Sequence, residues 1–167
     1  QTDYYYYMGK KIPLTLNEEK VIVSIPKECT ETDERIRADV QVLGTIRDSS
    51  FDIIVITLSD YETLTSREYW NEDAKSVIIT SSYFTEDNFE VYSTPYLNVE
   101  LKKEEDAYLL DSYTEKYRLR NLGSFSQYLP KWYVLYVTPE SDKSPLQCAN
   151  ELYESGDFAA SVPDLAD

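Results

Sequence analysis

The sequence predicts an α+β protein. Residues 95–167 form a ferredoxin-like antiparallel sheet of order strand–helix–strand–strand–helix–strand with two helices on one face, preceded over 1–94 by a small β-rich unit. Three observations carry this. Leu97, Val99 and Leu101 alternate with Tyr96, Asn98 and Glu100, the period of a strand with one buried face. Leu110, Tyr113 and Tyr117 recur at helical spacing. Ser144-Pro145-Leu146-Gln147 combines an N-cap, a proline at the first helical position and a capping box.

In chain order, Tyr4 to Met8 is a strand by aromatic content, and Gly9-Lys10 suits a tight hairpin turn. Lys11 to Leu16 returns as an edge strand, since Pro13 cannot donate to a ladder. Asn17 to Lys20 is a second turn, Val21 to Ile25 a short strand, and Pro26 to Glu34 a polar loop. Val40 to Ile46 suggests a further strand. Phe51 to Leu58, the most hydrophobic run, reads as a central strand.

A helix is expected over about 66–75, then a hairpin of Val77–Tyr83 and Phe89–Ser93 across Thr85-Glu86-Asp87-Asn88. No internal repeat is discernible, and Ser93-Thr94-Pro95 is the best boundary. In the second unit, Glu104-Glu105-Asp106 places three carboxylates at a helix start, where the dipole favours them. Leu122 to Leu129 is a weak strand. Trp132 to Val137 is apolar at nearly every position, so cover is expected on both its faces. Gly156 ends the last helix with positive φ, and Phe158 to Val162 is a short final strand before Pro163.

Composition narrows the function. The 167 residues carry 31 Asp+Glu against 16 Lys+Arg, a formal charge of −15, which repels phosphate backbones and anionic lipid. No nucleic-acid partner and no membrane insertion are expected, since no apolar run approaches the ~18–20 residues of a span. With no histidine, a Ser-His-Asp triad is impossible, and acid–base work would fall to carboxylates, lysines or tyrosines. The paired acids Glu18-Glu19, Asp33-Glu34 and Glu104-Glu105 read as turns or helix starts. No phosphate loop, dinucleotide fingerprint, Ca²⁺ loop or zinc spacing occurs. The chain is therefore read as non-catalytic, with no cofactor and no metal.

Cys29 and Cys148 lie far apart, and Cys148 in a helix favours a buried thiol over a disulfide. The 16 tyrosines read as half-buried sheet residues, with a protein- or glycan-binding platform as the alternative. The start at Gln1 is read as trimming of an upstream segment, so a secreted or periplasmic, cell-surface location is expected.

Two surfaces stand out. The segment Val162, Pro163, Asp164, Leu165, Ala166, Asp167 is expected to leave the last strand as an exposed tail. On the Trp132, Tyr133, Val134, Leu135, Tyr136 strand, alternate side chains would face away from the helices, toward either the amino-terminal unit or a partner.

The order of Leu101 to Asp106, Trp132-Tyr133, Ala149-Asn150-Glu151-Leu152-Tyr153-Glu154-Ser155-Gly156-Asp157-Phe158-Ala159-Ala160 and Pro163-Asp164 resembles the propeptide region of secreted bacterial subtilisin-like serine proteases. The opening Tyr4 to Leu14 is similar to the start of such proteins. The resemblance implies a folding assistant and inhibitor of a subtilisin-like catalytic domain, in cis or in trans. Its free sheet face would dock on two surface helices of the protease. Residues Val162–Asp167 would lie in the substrate cleft as an added strand. A stand-alone secreted binding module using the tyrosine-rich sheet is the alternative.

Overall fold

A computed structural model describes residues 2–167. β1 (Thr2–Tyr7) and β2 (Lys10–Pro26) form a hairpin through Met8 and Gly9, at φ 50° and 78°. Positive φ at both loop residues matches the twist of the flanking strands, so the turn sits one residue earlier than the glycine alone suggests. β2 runs unbroken where a turn is expected at Asn17–Lys20. Those polar residues form a bulge, for Asn17 pairs with Ser82 and Val21 with Ser81. The Asn17 carboxamide accepts from the Glu19 amide, and Lys20 Nζ meets Glu90 at 2.6 Å.

The expected polar loop after Pro26 is instead helix α1 (Thr30–Asp39), which buries only Thr32 and Ile36. β3 (Gly44–Ile46) and β4 (Phe51–Thr57) follow, then α2 (Leu58–Thr65), α3 (Trp70–Asp73) and β5 (Ile78–Phe84). Of the helix expected over 66–75 only the single turn of α3 forms, and α2 lies entirely before it. Thr57 caps α2 by accepting from the Asp60 amide at 3.0 Å.

β6 (Glu90–Leu101) passes straight through the boundary expected at 94/95. A 3₁₀ turn (Glu104–Tyr108) leads into α4 (Leu109–Tyr117), and β7 (Leu119–Ser126) pairs with β8 (Leu129–Val137). α5 (Pro145–Glu154) carries the expected capping box, and Gly156 at φ 82° turns the chain into β9 (Phe158–Ala166).

Among the described residues nine strands form one antiparallel sheet, in the order β3-β4-β2-β5-β6-β8-β7 with β1 beside β2 and β9 beside β6. The first half therefore reads β5-β2-β4-β3 and the second β9-β6-β8-β7. In each half the last strand borders the first, and the first borders the third. Each half also places a helix after its first strand and helical turns after its third.

Beyond the added strand β1, residues 10–84 of the expected β-rich unit thus form a topological copy of the second half. The repeat is one of architecture, which explains why no repeated residues announce it. Even the bulge recurs: the shift at Asn17/Val21 of β2 reappears 76 residues on at Ser93/Leu97 of β6. β5 serves both halves, as last strand of the first and hairpin partner of β6 in the second.

Three buried clusters hold this together. Val21, Val23 and Ile25 of β2 and Ile54 and Ile56 of β4 pack with Ile36, Leu64 and Trp70 of the first-half helices. Alternate residues of the same strands, Ile22, Ile53 and Val55, belong to a larger cluster with Leu97, Val99, Leu135, Leu110, Ala149 and Leu152 of the second half. Leu14, Tyr83 and Leu146 form a third, smaller cluster under β1, joined by Tyr5 and Leu165.

A candidate docking surface

Sheet register decides which of the predicted residues meet. Leu135 and Val137 are buried with the α4 and α5 side chains, so by alternation Tyr133 shares their side of β8. Trp132, Val134 and Tyr136 point the other way, and all three are half-buried. Tyr133 and Leu135 therefore do not belong to a helix-free docking face. Cross-strand pairing builds that face in rows: Ala160–Glu100–Trp132, Val162–Asn98–Val134, and Tyr96–Tyr136–Arg120.

The expected free tail is corrected. Val162, Pro163, Asp164, Leu165 and Ala166 lie in β9, with Val162 opposite Asn98, Pro163 opposite Leu97, Leu165 opposite Ser93 and Ala166 opposite Tyr92. Pro163 is buried, and Thr94 Oγ1 donates to the Asp164 carboxylate at 2.7 Å. The strand continues past the proline because β6 offers a partner on that edge beyond its bulge. Asp167 lies outside the strand. The two predicted surfaces become one, for Val162 and Val134 flank Asn98 on the same face.

One end of the face is closed by the first half. The Phe51 ring meets Tyr96 at 6.0 Å and Tyr136 at 5.9 Å in edge-on geometry, and Tyr96 and Tyr136 meet at 5.9 Å. Tyr96 donates to Asp48 at 2.8 Å, and burial together with that bond pushes its phenol pKa up. The other end, with Trp132, Glu100 and Ala160, stays half-open.

Beside it the β7–β8 hairpin carries exposed apolar residues the sequence reading did not single out. Leu122, Phe125, Tyr128 and Leu129 are 55, 58, 82 and 47% exposed. Their signal was available: four large apolar residues in an eight-residue stretch with no helix to cover them. Gly123, at φ 103°, pairs with Val134 of that face at a bulge in β7.

Among the tyrosines of β1, Tyr7 is exposed, and Tyr4, Tyr5 and Tyr6 are engaged within the fold. Tyr4 and Tyr6 both donate to Glu154, at 3.2 and 2.6 Å, and the Tyr6 ring stacks on Tyr153 at 4.5 Å. Tyr5 packs against the small cluster beneath. The two cysteines are free thiols, Cys148 buried and Cys29 half-buried. Burial pushes the Cys148 thiol up to about 12, so it stays protonated at neutral pH. Among the described residues no group of three or more Cys, Asp or Glu is placed to hold a metal ion, and no helix is long and apolar enough to cross a membrane.

No family model and no curated protein matches the chain. Among solved structures, a putative glycine cleavage system transcriptional repressor aligns at 10% identity over 89% of this chain and 98% of that one. Its TM-score is 0.26, a likeness too slight to carry an argument.

Proposed function

We infer that the chain is a non-catalytic, propeptide-type docking module for a subtilisin-like serine protease, built from two ferredoxin-like units. The second unit binds through its helix-free face and the β7–β8 arm. The observation that carries this reading is the half-open row of Trp132, Val134 and Val162 beside the exposed Leu122, Phe125, Tyr128 and Leu129. Apolar area of that kind on a domain of charge −15 is characteristic of a surface that a partner covers. The resemblance supplies the partner class, and its Asn150–Asp157 and Pro163-Asp164 motifs fall at the α5–β9 junction and the end of β9.

Inhibition in this reading comes from docking. Residues 162–166 act within the docking face and not as a strand in the substrate cleft, because they already pair with β6. A partner that binds only the native protease also stabilises it by mass action, which is the physical content of folding assistance.

The test titrates the purified chain against each subtilisin-like catalytic domain of its source genome, freed of its own propeptide. Saturable inhibition or accelerated refolding of one of them is the expected result. Trp132→Glu should weaken that effect by about tenfold or more, as loss of a central aromatic anchor does. Its melting temperature should stay close to that of the parent, since the side chain is only half-buried. No effect on any catalytic domain overturns the reading, and an unimpaired Trp132→Glu variant removes the face from it.

A further inference from the structure

Where the two halves meet, a cleft of about 560 Å³ opens beside the aromatic contact that joins them. The geometry points to this cleft as a binding site for a small organic anion, a carboxylate borne on an apolar or aromatic body, at the end of the docking face that the first half closes. Its volume is in the range of sites that hold ligands of that size.

The floor and the rim differ in chemistry. Phe51, Ile78, Tyr96 and Tyr136 supply apolar and aromatic surface, with the ring positions fixed by mutual edge-on contacts. Around them stand Lys27, Lys75 and Arg120, against the acids Glu28 and Glu140. The lining is thus net cationic in a chain whose total charge is −15. Among the described residues Lys27 and Arg120 enter no ion pair, while Lys75 meets the exposed Glu72 at 3.0 Å.

The nearby acid Asp48 does not compete for these cations. One of its carboxylate oxygens takes the Ser50 and Phe51 amides at 2.9 Å each and the Tyr96 hydroxyl at 2.8 Å. Those bonds hold the 48–51 loop and the Tyr96 ring where the floor needs them. Two unpaired cations over an aromatic floor suit a ligand with a carboxylate at one end and a ring or branched chain at the other. A free small acid and the carboxyl end of a peptide share that chemistry.

Isothermal titration calorimetry on the intact chain tests this with N-acetylphenylalanine as the free acid and with its neutral amide. Saturable binding of the acid is expected, and the amide should bind about tenfold more weakly through loss of charge-assisted contacts. Arg120→Glu and Lys27→Glu, both at exposed positions, should each weaken the acid by a similar factor while leaving the circular dichroism spectrum unchanged. N-acetyl-Ala-Ala-Phe separates the sources: tighter binding than the single residue assigns a peptide terminus, equal binding a free acid. No saturable heat with the acid, an amide that binds equally well, or folded charge variants that bind undiminished would overturn the assignment.

Discussion

Asp73 is 5% exposed and survives as a charge because three donors converge on it. Thr32 Oγ1 reaches it at 3.0 Å, and Arg35 grips it in a two-point fork through Nε and Nη2 at 2.8 and 2.7 Å. The Arg35 hydrogen bond, helped by Thr32 and opposed by burial, holds the carboxyl below its ordinary 3.8. A depressed carboxylate pKa stabilises the fold above that ordinary value, and the contribution drains away as pH falls through the lower, folded one. Asp73→Asn should therefore cost about 1.5–3 kcal/mol at pH 7, the range for hydrogen bonds to a charged group. Urea midpoints of parent and variant should begin to converge as pH falls through the ordinary 3.8, where the unfolded parent takes up its proton, and should meet only once the folded carboxyl is protonated at a lower pH. A gap that stayed constant as pH was lowered below that ordinary value would show that the ionised form adds nothing. The spacing of Arg35 and Asp73 gives no hint of this pair, since α1 and α3 meet only in the folded chain.

At the scale of elements, legibility follows how much of a helix is specified locally. α5 was readable to the residue because its signals are short-range. Ser144 Oγ accepts the Gln147 amide and the Gln147 side chain accepts the Ser144 amide, both at 3.1 Å, with Pro145 in the first turn. Ser144→Ala should lower stability by about 1 kcal/mol and move the denaturant midpoint without changing the slope. An unshifted midpoint would mean that packing of Leu146, Ala149 and Leu152 alone holds the helix start. α1 shows the opposite case. It has no side-chain cap, and only Thr32 and Ile36 are buried, so its Thr30–Asp39 run carries no apolar stripe. Its stability comes from packing Ile36 among side chains of β2, β4 and α2 and from the Arg35–Asp73 fork, and the partners of both lie outside any local window. The bulge in β2 was missed for a similar reason. Asn17-Glu18-Glu19-Lys20 has turn composition, and only the pairing with β5 tells a bulge from a reversal.

At the scale of the molecule, what the sequence left hidden is the mutual dependence of its halves. Alternation along β6 and β8 reveals two faces but not what covers them. That answer lies with Phe51, 45 residues before Tyr96 in the chain and in contact with its ring. Nor could the tail be placed from composition, because Pro163 reads as a strand end unless β6 is known to continue alongside it. The same connections make the two halves one cooperative unit. A fragment of 95–167, cut where the sequence suggests a boundary, would lose Glu90 to Thr94 of β6. That removes the partners of Leu165 and Ala166 and the Thr94 hydroxyl that holds Asp164. It would also uncover Tyr96, now 8% exposed against Phe51. We predict that the full chain melts in a single transition, whereas the fragment shows poorly dispersed amide resonances and no cooperative melt. A longer fragment starting at Ile78 restores β5, the β5–β6 hairpin and the whole of β6, and it should recover dispersion before the shorter one does. A well-dispersed spectrum from 95–167 alone would instead make β6 a linker strand between two independent domains, and the contact of Phe51 with Tyr96 and Tyr136 a docking of finished units.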